Sequence, residues 1–290
     1  MINGTDFVAL QRLLESRCGM QLTSDKLYLV AARLGPVAQK LGFKGVIELM
    51  AELRGAPRET TVLAVIEAMV THESLFFRDS RPFEYLSKTV LPDLVRSRAE
   101  ARSIRIWSAA CSSGQEPYSI AMQMREEFAH LPGWRWQIVA TDISEQILAK
   151  AGSGVFSDFE VRRGLTEERM RRHMHAVAGG YKINDSVRAL VDFRKHNLIE
   201  PAAHLGKFDI VFCRNVLIYF DQPVKRRVLE HIARQLAPDG YLFLGAADGI
   251  TRLTDKFDPV EAERGVFRLA GSSAATTKAN GVGPVVLTRA

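Results

Sequence analysis

Ile104-Arg105-Ile106-Trp107-Ser108-Ala109-Ala110-Cys111-Ser112-Ser113-Gly114-Gln115-Glu116-Pro117-Tyr118-Ser119-Ile120 reads as a strand, a loop of small residues and a helix. Ile104, Ile106 and Ala109 supply the apolar run beside Trp107, and Ser108 to Gly114 are small. Proline is favoured at the first helical position, where its missing N–H is not needed. The helix is therefore expected to start at Pro117. Such a unit presents a crevice to a nucleoside-containing ligand at the carboxyl ends of the strands. With a single glycine in the loop, the dinucleotide fingerprint G-x-G-x-x-G is not met. An acidic residue, Glu116, in place of further glycines suits a ligand with a cationic end better than a pyrophosphate. S-adenosylmethionine, with its ammonium and sulfonium, is such a ligand. The alternative is an ordinary βα turn in a cofactor-free α/β domain.

Downstream, Trp136 to Asp142 is a second strand ending in an acid. An acid there can hydrogen-bond ribose hydroxyls. The competing role for Asp142 is a helix N-cap, which Ser144 fills equally well. Phe208 to Cys213 is a buried strand followed by Arg214-Asn215, and Pro223 opens a helix. Tyr241 to Gly245 is a further strand, and Phe257 with Val266 to Leu269 reads as a closing antiparallel pair. Alternating strands and helices give an α/β doubly wound sheet. It is expected to be of methyltransferase type rather than dehydrogenase type, because the first loop lacks the glycines.

Upstream, residues 1–72 read as a small all-α module. Phe7, Leu10, Leu14 and Cys18 recur at helical spacing. A second helix carries Leu27, Val30, Leu34, Val37 and Leu41, with Thr23 or Ser24 as its cap and Gly42 as its end. Two shorter helices follow, around Val46 to Leu53 and Val62 to Val70. Lys26, Arg33, Lys40 and Lys44 are either a solvated face or a docking surface for an acidic helix. In His72-Glu73-Ser74-Leu75-Phe76-Phe77-Arg78, the arginine directly follows two aromatics. It is expected to be held near the interior, where a guanidinium can grip a carboxylate. Residues 153–195 look like an insertion, with a small β unit over about 165–195. A hairpin is expected there, turning at Asp185-Ser186 between Tyr181–Asn184 and Val187–Phe193. His173 and His175 are two apart, a poor metal spacing on a helix. From Gly271 the tail is rich in Ser, Ala, Thr and Gly and is expected to be flexible.

The 290 residues hold 39 basic and 33 acidic side chains, a net charge of +6, which by itself selects no partner. No apolar run reaches the ~20 residues of a membrane span, and the first residues carry no signal-peptide pattern. Cys18, Cys111 and Cys213 have neither pair nor metal spacing. Reduced thiols and a cytoplasmic location are expected.

Four motifs, in order, resemble the CheR-type chemotaxis receptor glutamate methyltransferases. They are Glu73 to Arg78, Ile106 to Ser119, Ala140 to Ile143 and Phe212 to Phe220, and the helical module fits through Lys26 to Leu29 and Arg33-Leu34. The resemblance covers about residues 5–270. It implies an enzyme of two domains, a receptor-docking helical domain over 1–72 and a catalytic domain over 73–270. The implied reaction moves a methyl group from S-adenosylmethionine to glutamate side chains on chemoreceptor helices. A glutamate methyl ester and S-adenosylhomocysteine are the products, in adaptation of chemosensory signalling. By the same resemblance Glu116 lies at the methionine end of the cofactor and Asp142 grips the ribose. Asn197 and Leu198 lie along the adenosine, with Arg214 and Asn215 at the strand end beneath it. His72, Ser74 and Arg78 also belong to the cofactor-binding set, and Arg78 and Tyr219 stand nearest the reacting groups.

Three positions depart from the family pattern. His72 and Ser74 stand where Asn and Thr are usual, and Gln115 stands where a glutamate is common. The segment Ala176 to Lys182 is shorter than the glycine-rich loop of members that tether to a receptor's C-terminal pentapeptide, so independence of that peptide is expected. No metal, nucleic acid or membrane insertion is implied, and a monomer suffices. A nucleic-acid methyltransferase is disfavoured because Arg214-Asn215-Val216-Leu217 lacks the Pro-Pro-aromatic motif of amino-methylating enzymes. A non-catalytic cofactor sensor is the remaining alternative.

Overall fold

A computed structural model describes residues 3–250, 253–261 and 263–272. Most of the tail considered above therefore lies outside the described residues.

The chain begins with four helices, α1 (Gly4–Cys18), α2 (Leu27–Lys40), α3 (Val46–Arg54) and α4 (Glu59–Met69). Asn3 and Asp6 form a reciprocal capping box on α1, satisfying two amides that the helix itself leaves unpaired. The predicted stripes converge: Leu10, Leu14, Val30, Leu34, Leu49, Met50 and Val65 are buried in one cluster. Each such side chain contributes about 1.5–3 kcal/mol on burial. Thr23 and Ser24 do not cap α2. A short 3-10 turn over Ser24–Lys26 leads into it without a side-chain cap.

A bent helical stretch follows, α5 (Arg81–Tyr85) and α6 (Leu91–Ser97) separated by one wide π turn. Then come β1 (Ser103–Ala109), α7 (Gln115–Glu127), β2 (Arg135–Asp142) and α8 (Glu145–Ser153). The next segment holds β3 (Val155–Phe156), α9 (Asp158–Arg162), α10 (Glu167–His173), β4 (Met174–Val177), β5 (Gly180–Ile183) and α11 (Asp185–Arg188). The chain returns through β6 (Val191–Lys195), β7 (Phe208–Cys213), α12 (Gln222–Gln235), β8 (Leu236–Leu244), β9 (Phe257–Pro259) and β10 (Val266–Leu269).

Seven strands form one sheet in the order β6-β2-β1-β7-β8-β10-β9. The first five are parallel, and β10 and β9 close the edge antiparallel. From β1 the chain winds outward through β2 and β6, then returns to β7 on the other side. The switch point between β1 and β7 opens a crevice at the strands' carboxyl ends. One face of the sheet buries Ile106, Tyr118, Phe212 and Phe243; the other buries Trp107, Val211, Leu229 and Leu242.

The small second sheet, β3-β5-β4, differs from expectation. Its hairpin joins β4 to β5 with the turn at Ala178-Gly179, and Gly179 has the φ of +86° that a tight turn demands. Asp185-Ser186 instead starts the short helix α11. The run that would have been the second hairpin arm contains β6, which pairs with β2 at the edge of the main sheet. The alternation of Val191 and Phe193 fits either position, so local pattern did not separate them.

Candidate active site

α7 begins at Gln115, two residues before Pro117. Pro117 is tolerated there because the first-turn amides have no intrahelical acceptor. Gly114 precedes the helix at φ +96°, and a Cβ there would stand 3.0 Å from that of Ala151. Both facts demand glycine. Starting the helix early puts Glu116 in its first turn, where a carboxylate is favoured by the helix dipole. Its Oε1 accepts from Ser108 Oγ at 2.8 Å, so the end of β1 fixes its direction. Its Oε2 lies 3.2 Å from Arg214 Nη1. Burial pushes the Glu116 carboxyl above the usual carboxylate range, against the pull of Arg214 and Ser108.

Asp142 ends β2 and is also buried. It accepts Ser112 N at 2.9 Å and Ser144 N at 3.1 Å. The helix N-cap role falls to Ser144, whose Oγ accepts Ile147 N at 3.1 Å. Asp142 is thus left facing the crevice, and burial raises its pKa. His72 lies near it. Its pKa is lowered by burial, with Asp142 and Glu67 acting in the opposite direction.

One cavity, holding about 990 Å³ of empty space including its open mouth, is lined by all ten residues singled out in the sequence. His72, Ser74 and Arg78 come from the segment after α4, Glu116 from α7 and Asp142 from β2. Asn197 and Leu198 follow β6, and Arg214, Asn215 and Tyr219 follow β7. Among the described residues, six of the seven non-glycine residues with left-handed backbone lie in the segments around this cavity: Phe77, Asp79, Ser80, Ala110, Ser112 and Asn215. Strain of this kind collects at functional sites.

Arg78 is not held in the interior as expected: it is only half-buried, and the one hydrogen bond of its side chain among the described residues is a long one, 3.5 Å to the Glu73 carbonyl. The arginine held by the interior is Arg214, whose side chain is 1% exposed. It donates to Asp79 Oδ2 at 2.7 Å and to the Arg78 carbonyl at 2.9 Å as well as to Glu116. Arg214 therefore ties the Glu116 helix to the turn that carries Arg78.

Sequence reasoning missed a wall of the cavity. Cys18 and Met20, from the helical module, line it. Met20 bridges to Phe220, Gln21 N donates to the Tyr219 carbonyl at 2.8 Å, and Asn197 Nδ2 donates to the Arg17 carbonyl at 2.7 Å. The contacts span about 180 to 200 positions of sequence, so no local pattern reports them. Ser108 was also missed, although its place near the end of β1, eight residues before Glu116, was visible.

The donor set fits S-adenosylmethionine. Two buried carboxylates, Glu116 in the first turn of α7 and Asp142 at the end of β2, are the kind of acceptors that suit an ammonium and a pair of ribose hydroxyls. Ser112 Oγ and Arg214 Nε, buried residues of the same wall, have no hydrogen-bond partner among the described residues. Switch-point crevice and paired carboxylates together define the class of S-adenosylmethionine-dependent methyltransferases.

Two family models match the chain: "CheR methyltransferase, all-alpha domain" over residues 5–65 and "CheR methyltransferase, SAM binding domain" over residues 72–266. The chain is 44% identical over 269 residues to "Chemotaxis protein methyltransferase 1" of Pseudomonas aeruginosa, covering 90% of this chain and 96% of that one. It is 42% identical over 269 residues to "Chemotaxis protein methyltransferase" of Vibrio parahaemolyticus, covering 92% and 97%. The chain belongs to the CheR methyltransferase family, and its S-adenosylmethionine-binding domain is the one built on β1 to β10. No helix among the described residues is long and apolar enough to cross a membrane.

Proposed function

We propose that the protein methylates glutamate side chains of chemoreceptor helices, forming methyl esters and S-adenosylhomocysteine. The observation that carries the reading is the pairing of a committed arginine with an uncommitted one. Arg214 is ion-paired with both Glu116 and Asp79, while Arg78 lines the same cavity and pairs with no carboxylate among the described residues. An incoming anionic carboxylate meets Arg78 without displacing an internal partner.

The cofactor supplies an electrophilic methyl group on a sulfonium. Glu116 holds its ammonium, Asp142 its ribose hydroxyls, and Asn197 and Leu198 flank the adenosine. His72 and Ser74 close the cavity from the side of the helical module. Arg214 and Asn215 form the floor at the end of β7. A glutamate with a pKa of ~4.3 is already ionised at neutral pH, so no side chain has to remove a proton. The protein's work is alignment and exclusion of water. Arg78 orients the substrate carboxylate, and Tyr219, half-buried at the cavity wall, hydrogen-bonds the reacting region.

The receptor is long and helical, so it needs a surface beyond the cavity. Lys40 and Lys44 are exposed at the end of α2 and just past it and suit an acidic helix. Arg33 serves differently: it donates to the Met69 carbonyl at 2.6 Å and bonds Thr71, bracing the segment that leads to His72. The short turn between β4 and β5 leaves little loop for gripping a C-terminal peptide, in keeping with pentapeptide independence. Action in the cytoplasm as a monomer, with no nucleic-acid substrate, completes the reading.

The test is transfer from methyl-labelled cofactor to chemoreceptor-containing membranes, with RNA in parallel. Esters release methanol in base; methylated bases and amines do not. Base-labile label on the receptor is the expected result. Base-stable label on RNA, or cofactor binding with no transfer to any chemoreceptor, overturns the reading. Receptors lacking the C-terminal peptide should label equally well.

A further inference from the structure

Asp248 lies outside every motif discussed above and lines no part of the cavity, yet it is completely buried at 0% exposure. A buried carboxylate is costly unless it is paired or fully hydrogen-bonded. Among the described residues Asp248 pairs with no cation, and every bond that holds its carboxylate comes from main-chain amides. Oδ2 accepts from Gly245 N at 2.9 Å and from Asn215 N; Oδ1 accepts from Ile218 N at 3.2 Å. The carboxylate thus joins the end of β8 to the loop 214–219 at two points on that loop. Between and beside those points stand Arg214, Asn215 and Tyr219. Asn215 stands at φ +59°, a left-handed turn that asparagine accepts more readily than most residues and that the Asp248 bond to its amide helps hold. Gly245 leaves the space: a Cβ there would stand 2.7 Å from Asp248 Oδ2 and 2.9 Å from Asn215 N.

We propose that Asp248 is a positioning residue for methyl transfer, setting the backbone of the 214–219 loop so that Tyr219 and Asn215 face the cavity. The proposal rests on the reading that this cavity transfers methyl groups and that Tyr219 acts in it. Asp248 touches neither substrate nor cofactor. It acts through amides that bind both of its carboxyl oxygens at once. In Asp248→Asn an NH2 group faces one set of N–H donors, so the loop must move although the side chain keeps its size.

The test is a double-mutant cycle between Asp248→Asn and Tyr219→Phe, read as kcat for base-labile receptor methylation, with thermal unfolding as a control on folding. Each single change is expected to lower kcat on the order of tenfold, and the double variant to be little worse than Asp248→Asn alone. A merely structural role gives additive losses, because a smaller folded fraction scales every rate equally. Additive losses overturn the proposal, as does a silent Tyr219→Phe in the parent. Asp248→Glu keeps the charge and lengthens the side chain. It is the second arm should Asp248→Asn fail to fold, and the same non-additivity is expected. The unsubstituted protein assayed alongside separates the two layers: if it yields no base-labile ester, the functional reading fails before the cycle is run.

Discussion

In the proposed reaction Arg78 serves the substrate and Glu116 the cofactor. Arg78→Ala removes the cavity guanidinium that pairs with no carboxylate among the described residues. It should lower kcat for receptor methylation by about 100-fold, leave cofactor affinity nearly unchanged, and leave the melting temperature in place; calorimetric titration and turnover separate the two effects. Glu116→Gln should do the opposite. Losing a charge-assisted bond of about 1.5–3 kcal/mol weakens cofactor binding by roughly 10- to 150-fold. Because burial raises the Glu116 pKa, its protonated fraction grows at higher pH than for a free glutamate. Cofactor affinity should therefore fall on acidification, and Glu116→Gln should flatten that dependence. Burial holds the Cys111 thiol well above its ordinary pKa, which disfavours a thiolate at this cavity wall.

At the scale of elements, the loop between β1 and α7 depends on Gly114. Gly114→Ala places a Cβ 3.0 Å from Ala151 in a backbone conformation that disfavours it. The expected cost is about 1–3 kcal/mol, seen as a lower melting temperature together with weaker cofactor binding, since Glu116 is in the next turn. How far such elements were legible follows from range. β1, β2, β7 and the helices of the N-terminal module are written in local periodicity, and the sequence placed them. The β4–β5 hairpin was misplaced because Tyr181–Ile183 and Val191–Phe193 carry similar patterns. Only the pairing of β6 with β2, set by non-local contacts, distinguishes them. The start of α7 at Gln115 rather than Pro117 reflects proline's tolerance through the whole first turn. Seven of the ten residues that line the cavity lie in the four motifs, and His72, Asn197 and Leu198 came from the family resemblance alone. What was not reached, namely Met20, Asp79 and Asp248, acts through contacts with residues distant in sequence.

The whole molecule has a titration built in beside its crevice, where His196 lines the cavity. His196 is buried near Trp107, with His204 5.2 Å away, and His231 is buried nearby. Burial, with the neighbouring imidazoles His204 and His231, pushes the His196 pKa down to about 4 from an ordinary 6.5. A folded pKa below the unfolded one means that the unfolded chain binds the proton first as pH falls. Stability should therefore be unaffected above pH 6.5, fall as pH drops from 6.5 to about 4, and level off below. Melting temperatures measured across that window test this, and His196→Gln should reduce the slope. A slope unchanged by the substitution would assign the acid sensitivity to other groups.

The seam where Met20 meets Phe220 and Arg17 meets Asn197 bears on how relatives of this chain can be recombined. A chimera that joins the helical module of one relative to the sheet of another replaces half of a shared wall. To work, such a graft has to carry residues 17–22 and the facing stretches 197–199 and 219–220 from the same parent. Crossovers placed inside the connection between modules, where a designer would naturally cut, separate them.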